Sequence, residues 1–144
     1  MTTKDNSVLR ELNINIGNKT SYAKTITETD ILDIARISGD FASIHIDKEF
    51  ASKTLFNDCI AHGVFSQALL SAAMAKLPGI VITITQYVRF LKPIRAGDTI
   101  TAVVEVTDLR TAEAIITLKQ TCYNQNNEVV VDGEGKCKLY MPPV

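Results

Sequence analysis

A run of helical spacing from His62 to Leu77 constrains the fold more than any other part of the sequence. Apolar residues recur along it at helical intervals, and the other faces carry only four polar residues, Ser66, Gln67, Ser71 and Lys76. A helix that is apolar nearly all round is buried on several sides. Pro78-Gly79 then ends the run. The sequence therefore predicts a central helix that the rest of the chain covers.

Everything after this helix has the composition of β-strands. β-branched and aromatic residues dominate, and turn residues divide them into four predicted strands at 80–91, 99–107, 112–123 and 128–140. Gly133 and Gly135 predict a β-bulge within the last strand. A further strand is predicted at 21–26. One buried helix beside a meander of antiparallel strands predicts an α+β domain with a sheet wrapped around a helix.

Length and charge limit the class of protein. The 144 residues fit one domain, predicted to span 21–144 after a loosely ordered lead-in over residues 1–20. A net charge of −1 argues against nucleic acid as a partner. No apolar run approaches the roughly 20 residues that cross a bilayer, and residues 1–21 lack the apolar centre of a signal peptide. These features predict a cytoplasmic protein without a membrane partner.

The three cysteines favour free thiols in a reducing compartment. Cys59, Cys122 and Cys137 are widely spaced and show no CxxC pairing. A catalytic thiolate is disfavoured, because neither Cys122 nor Cys137 lies at a predicted helix start. The histidines show no ligand spacing and no Gly-rich nucleotide loop is present, so neither a metal nor a cofactor is expected.

A turn-rich loop at residues 38–46 carries the main candidates for chemistry. A helix with a capping box at Thr27–Asp30 precedes it and ends at Gly39, and a short helix capped by Asp47 follows. Asp40 and His45 lie within the loop, where one acid and one imidazole could face the same water. The alternative is that Asp40 caps a turn and His45 fills an apolar gap.

Two positions on the central helix are further candidates. A glycine at the first turn, Gly63, would let a substrate carbonyl approach the free N–H groups, although close packing also explains it. Ser71 lies eight positions further on and could face the same pocket, or its hydroxyl could bond to a carbonyl one turn earlier. For His62, beside Gly63, a structural role is favoured.

These motifs together resemble the MaoC-like, (R)-specific enoyl-CoA hydratase family of hot-dog proteins. The resemblance covers residues 22–140 and rests on the order of Ser38-Gly39-Asp40, His45-Ile46-Asp47, Ile60-Ala61-His62-Gly63, Pro78-Gly79, Phe90 with Pro93, and Gly97-Asp98-Thr99. It implies a hot-dog fold, in which a curved antiparallel β-sheet wraps a long central helix. It also implies a homodimer, or a dimer of dimers, with active sites near the subunit interface.

The resemblance assigns roles to the candidate residues. It implies that Asp40 and His45 are the catalytic dyad, that Gly63 donates its N–H to a thioester carbonyl, and that Ser71 lines the substrate site. The chain departs from the family at Ala42-Ser43, where Asn-Pro is usual. The departure removes a side-chain anchor and a fixed φ from the loop, and Ser43 could replace part of the anchor by bonding local backbone.

The implied activity is reversible hydration of a trans-2-enoyl thioester to the (R)-3-hydroxyacyl thioester. The thioester would be carried by coenzyme A or acyl carrier protein, with coenzyme A present only as part of the substrate. Two alternatives remain from the sequence. A hot-dog thioesterase would share the fold without needing the Asp40/His45 spacing, and a non-catalytic acyl-thioester-binding domain would keep the pocket without turnover.

Overall fold

A computed structural model describes residues 7–144, and within them the chain forms five helices and five strands. The helices are α1 (Val8–Glu11), α2 (Glu28–Ser38), α3 (Ser43–Ile46), α4 (Lys48–Ser52) and α5 (Gly63–Met74). The strands are β1 (Lys19–Thr25), β2 (Ile80–Phe90), β3 (Thr99–Arg110), β4 (Ile115–Tyr123) and β5 (Val129–Tyr140). A 3-10 turn, Thr111–Glu113, joins β3 to β4.

The five strands form one antiparallel sheet in the order β1-β3-β4-β5-β2, and α5 packs against β1, β3 and β4. The inward positions of β3 follow the strand period and are buried at Ile100, Ala102, Val104 and Val106. The predicted α+β architecture, a sheet around a central helix, is confirmed.

The C-terminal end of α5 is tied to strand β1. Thr20 Oγ1 donates a hydrogen bond of 2.6 Å to the carbonyl of Ala73. Lys76 Nζ, just beyond the helix, donates one of 2.6 Å to the carbonyl of Ser21. The last carbonyls of a helix lack partners within it, so the first bond satisfies one of them while fixing the helix to the sheet.

One face of α5 is more exposed than the sequence predicts. Phe65, Leu69, Leu70 and Ala73 are buried against the sheet, whereas Val64 is 48% exposed and Ala68 and Ser71 are also exposed. The prediction of burial nearly all round is therefore wrong for the single chain. The reason is that the strands which contact α5 cover one side of it.

The predicted bulge at Gly133 and Gly135 is also wrong, because both glycines pair regularly within an unbroken β5. The irregularities lie elsewhere, on β2 between Thr83 and Thr85 and at Val130 of β5, which is skipped where that strand pairs with β4. The glycines instead leave room for neighbours. A Cβ added to Gly133 would lie 1.9 Å from the carbonyl oxygen of Tyr87, and a Cβ added to Gly135 would lie 2.5 Å from Gln120 Nε2.

Part of the expected lead-in belongs to the core. Leu9, in α1, is 1% exposed and Ile14 is 4% exposed, and both join the main hydrophobic cluster. The expectation of loose order therefore does not describe these residues, whose burial depends on contacts with distant parts of the chain. Residues 1–6 lie outside the described residues.

Local signals around the candidate loop are confirmed. Thr27 and Asp30 form a complete capping box at α2, and Gly39 ends that helix with φ of 80°. Asp47 accepts from the Phe50 N–H at the start of α4. The two caps fix where the loop leaves α2 and enters α4. Within residues 7–144, no helix is both long and apolar enough to cross a membrane.

Substituting Gly133→Ala tests the close approach of β5 to β2. Because the new methyl would overlap the Tyr87 carbonyl, we expect the free energy of unfolding to fall by about 3 kcal/mol, near the upper end of overpacking effects. Urea unfolding measures this free energy. Glu134→Ala, at the exposed neighbouring position, is the matched control and should change the free energy of unfolding by less than about 0.5 kcal/mol. Equal stability of the two variants would contradict the close approach.

Candidate active site

Asp40 and His45 face each other at the edge of the loop. Asp40 follows the left-handed Gly39, and His45 lies in α3. Asp40 Oδ2 is 3.7 Å from His45 Nε2, with the carboxylate side chain 50% exposed and the imidazole 12% exposed. The structure therefore brings together the two residues that the sequence singled out.

The hydrogen bonds of His45 define its tautomer. Nδ1 lies 2.6 Å from the carbonyl oxygen of Ile60. A carbonyl only accepts, so Nδ1 carries a proton, and in the neutral form of the ring the lone pair lies on Nε2. Ile60 also donates its N–H to the carbonyl of Ile44 at 3.2 Å. These two bonds fasten α3 to the segment leading into α5 and turn the free Nε2 toward Asp40.

Short-range hydrogen bonds hold the Asp40 turn. The Asp40 N–H donates to Ser38 Oγ at 3.1 Å, and Ser38 Oγ donates to the Ile34 carbonyl at 2.6 Å. Asp40 Oδ1 accepts from the Ala42 N–H at 3.1 Å, which leaves Oδ2 facing the imidazole. Ser38 and Asp40 itself therefore anchor the turn that leads to Ala42-Ser43.

One water molecule could bridge the side chains of Asp40 and His45. At 3.7 Å, Asp40 Oδ2 and His45 Nε2 are too far apart for a direct hydrogen bond. A water about 2.8 Å from each atom would lie to one side of the line that joins them and bond to both. Since both atoms accept hydrogen bonds, both water hydrogens would point to protein and an oxygen lone pair would remain for a substrate.

A cavity of about 430 Å³ lies beside His45. Its walls are mainly apolar, and they include Phe56, Ile60, Phe90, Leu91, Ile94 and Val131. Gly63, the first residue of α5, also lines it. An imidazole with a free lone pair and the N-terminus of the central helix thus share one largely apolar chamber.

Gly63 presents an uncapped helix start to this cavity. The side chain of the N-cap residue, His62, makes no capping hydrogen bond, and the first N–H groups of a helix have no partner within it. A Cβ on Gly63 would lie 3.0 Å from the Phe90 ring, so a side chain here would require that ring to shift slightly. Both sequence interpretations, close packing and an accessible N–H, stay predictions.

Ser71 lies away from the cavity, and Ser66 lies at it. Ser71 is exposed on the outer face of α5. Ser66 lines the cavity, is 1% exposed, and its buried Oγ has no hydrogen-bond partner. The sequence missed Ser66, although its spacing of three residues from Gly63 places both on one side of a helix. The role implied for Ser71 stays a prediction.

His62 lies closer to the dyad than a purely structural role suggests. Its ring is 3% exposed and stacks on that of His45, with centroids 3.8 Å apart and planes 24° apart. Its Nε2 lies 2.8 Å from the carbonyl oxygen of Asp40. Its Nδ1 is buried without a hydrogen-bond partner.

Within residues 7–144, Asp40, His45 and His62 are the three potential metal ligands that come within 4.8 Å of one another. The stacking of the two rings opposes metal binding. Imidazole lone pairs lie in the ring plane, so nearly parallel rings direct them side by side, whereas a bound Zn²⁺ needs them to converge at about 2.0–2.1 Å. The absence of a metal stays a prediction.

The cysteine thiols are poorly suited to nucleophilic chemistry. Burial raises the pKa of Cys122 to about 12 and also raises the pKa of Cys137. The pKa of Cys59 is raised as well, first by burial and then by the Asp58 carboxylate. All three lie within the described residues and form no disulfide. Their raised pKa values keep them protonated at neutral pH.

Comparison with known proteins identifies the family. Residues 13–128 match the model of the MaoC like domain. The chain belongs to the MaoC-like family. The resemblance noted from the sequence is therefore confirmed, and with it the hot-dog fold, since an (R)-hydratase from Aeromonas caviae involved in PHA biosynthesis superposes with a TM-score of 0.84. That match is 34% identical and covers 88% of this chain and 98% of the other.

Two curated MaoC-like relatives extend over most of the chain. An (R)-specific enoyl-CoA hydratase of Rhodospirillum rubrum is 39% identical over 121 residues, which is 83% of this chain and 83% of the relative. A 3-hydroxybutyryl-CoA dehydratase of Methylorubrum extorquens is 35% identical over 128 residues, which is 88% of this chain and 81% of the relative. Both relatives are named for adding or removing water at an acyl-CoA.

Proposed function

We propose that this protein catalyses the reversible hydration of trans-2-enoyl thioesters to (R)-3-hydroxyacyl thioesters. The observation that carries the proposal is that Asp40 Oδ2 and His45 Nε2, 3.7 Å apart, can both bond to one water, beside a cavity that the N-terminus of α5 also lines. The names of the relatives support the same reaction. Among proteins of this fold, a thioesterase would not need this pair.

In hydration, the water held by Asp40 and His45 attacks C3 of the enoyl group. Its oxygen forms the new C–O bond while one of its protons passes to the dyad. The electron pair of the double bond moves toward the thioester carbonyl and gives an enolate. The proton then passes from the dyad to C2, so one molecule of water has been added and the protein is unchanged.

The Gly63 N–H stabilises the enolate oxygen. It lies at the positive end of the α5 dipole, in a mainly apolar cavity where a fixed donor is worth more than in water. Donors of this kind contribute about 3–4 kcal/mol to lowering a barrier. The same contact polarises the carbonyl before attack and thereby makes C3 electrophilic.

The apolar cavity supports an acyl thioester as substrate, with coenzyme A or acyl carrier protein as the carrier. No separate cofactor takes part in this mechanism, because the acid, base and carbonyl donor all come from the chain. We also assign the protein to the cytoplasm, which is supported by the three unpaired thiols within the described residues.

Crotonyl-CoA provides the direct test. We expect loss of the conjugated enoyl absorbance without release of free thiol, and chiral chromatography should show the (R)-3-hydroxybutyryl product. Thiol release would indicate a thioesterase. Binding without either change would indicate an acyl-thioester-binding domain, and each of these results contradicts the proposal.

Substituting the dyad tests whether the two residues act as a unit. Asp40→Asn and His45→Gln each replace a basic group by an amide, which can bond to the water but cannot take its proton, so each should lower kcat by at least about 100-fold. The fold-reduction of kcat in the double variant should be far smaller than the product of the two single reductions, because either single substitution already stops the pair from acting together. Near-wild-type turnover of either single variant would exclude that residue from the dyad.

Gly63→Ala separates the carbonyl donor from a packing role. The methyl would press against the Phe90 ring, which is 56% exposed and free to shift outward, so we expect little change in Tm. We expect a large fall in kcat, because a side chain at this position would displace the thioester carbonyl from the Gly63 N–H. Adding Phe90→Leu to Gly63→Ala relieves the crowding and should not restore kcat, with Phe90→Leu alone as the control. Recovery of turnover in the double variant would assign Gly63 to packing.

Two exposed surfaces support the predicted homodimer. β2 is at the edge of the sheet and has no strand partner on its outer side among the described residues. It exposes large apolar side chains, with Ile82 and Ile84 at 50% and 51%. Gln67 Nε2 donates to Gln86 Oε1 at 3.1 Å, which places the exposed face of α5 beside this strand. A second copy there would pair the strand edge and cover Ser71.

Light scattering at micromolar concentration should therefore show a dimer, or a dimer of dimers. Ile82→Asp would place a charge in the proposed interface and should shift the protein toward monomer. Ile16→Asp, at a position 63% exposed before β1, is the matched control and should leave the dimer intact. A fully active monomeric wild-type protein would contradict this assembly.

A further inference from the structure

We propose that His62 is a positioning residue for the hydration reaction, which sets the geometry of both dyad members relative to the Gly63 N–H. This inference rests on the proposed function. His62 immediately precedes Gly63 and is 3% exposed. An N-cap side chain commonly turns back to its own helix, whereas that of His62 makes no capping bond and extends toward the catalytic loop.

The first contact of His62 holds the main chain of Asp40. Its Nε2 lies 2.8 Å from the Asp40 carbonyl oxygen, across a separation of 22 residues. Because the carbonyl accepts, Nε2 carries the proton. The bonds from the Asp40 N–H to Ser38 and from the Ala42 N–H to the Asp40 carboxylate are local to the turn. The bond to His62 instead fastens that turn to the start of the central helix.

The second contact of His62 sets the plane of the catalytic imidazole. The ring of His45 lies 3.8 Å above that of His62, with 24° between the planes. The bond from His45 Nδ1 to Ile60 fixes rotation within the plane, and the stack fixes the tilt. Both together determine where His45 Nε2 points.

The unpartnered Nδ1 of His62 argues that packing alone does not explain a histidine here. Burial of an acceptor without a partner is destabilising, and a phenyl ring would fill a similar space without that cost. The imidazole combines a flat face for His45 with a donor for Asp40. The His62 ring therefore contacts both elements that carry the dyad, the Asp40 turn and α3. It fixes the position of each relative to the start of α5, which carries the carbonyl donor.

Two substitutions at position 62 separate the two contacts. His62→Phe keeps the stacking face and removes the donor, whereas His62→Gln keeps an N–H at similar reach and removes the ring. With crotonyl-CoA, we expect His62→Phe to lower kcat by about 10- to 100-fold, with KM changed less than about 3-fold, because the dyad is displaced while the substrate cavity remains. His62→Gln should recover part of that loss through its donor.

Leu70→Val is the control for general destabilisation, since Leu70 is buried in α5 away from the cavity lining. It should lower Tm without changing kcat of the folded protein. If His62→Phe and His62→Gln keep the wild-type kcat of the folded protein and lower only Tm, as Leu70→Val does, the positioning role is overturned. If one variant fails to fold, the other still decides between these outcomes.

Nuclear magnetic resonance of the imidazole nitrogens gives a readout that does not depend on turnover. Wild-type His62 should show a protonated Nε2 and a bare Nδ1, and His62→Gln should shift or broaden the ring signals of His45. Unchanged His45 signals would overturn the inference even if the wild-type protein were inactive on crotonyl-CoA. Inactive wild type with displaced His45 signals would instead refute the proposed reaction and leave the positioning contact established.

Discussion

The packing of α5 against the sheet is the interaction on which the rest of the structure depends. Leu69, Leu70 and Ala73 are buried there with at most 4% exposure, and each large apolar side chain so placed contributes about 1.5–3 kcal/mol. The same helix begins at the cavity with Gly63 and carries His62 before it. The contact between α5 and the sheet therefore determines both the stability of the core and the geometry of the site.

The loop that carries Asp40 and His45 combines local rigidity with exposure to solvent. Its turn is closed by bonds among Ser38, Asp40 and Ala42. The Asp40 side chain nevertheless remains 50% exposed, so water reaches it from outside. His45 is instead 12% exposed and faces the apolar cavity. The mechanism that we propose, with water drawn from solvent and an acyl chain held in the apolar cavity, would use this division.

What the sequence predicted correctly is local or periodic. The Thr27–Asp30 capping box, the left-handed Gly39 and the Asp47 cap each depend on residues within one turn. The strands follow from alternation and β-branched composition. Asp40 and His45 were found because both lie in one short loop.

What the sequence could not predict depends on contacts between distant residues. That Ser66 lines the cavity while Ser71 does not depends on which side of α5 borders it. The role of Gly135 depends on the Gln120 side chain of another strand, and the burial of Leu9 depends on packing with distant core residues. The stacking of His62 on His45 joins elements that spacing alone does not align.

The anchoring of α5 at its far end has a consequence for the chemistry at its near end. The helix has 12 residues and is thus about 18 Å long, a nearly incompressible rod. Thr20 holds its last turn against β1, at the edge of the sheet opposite β2. The axial position of the Gly63 N–H is therefore set from the other side of the domain. A change in β1 would slide the carbonyl donor relative to the loop while every residue that lines the cavity stayed the same.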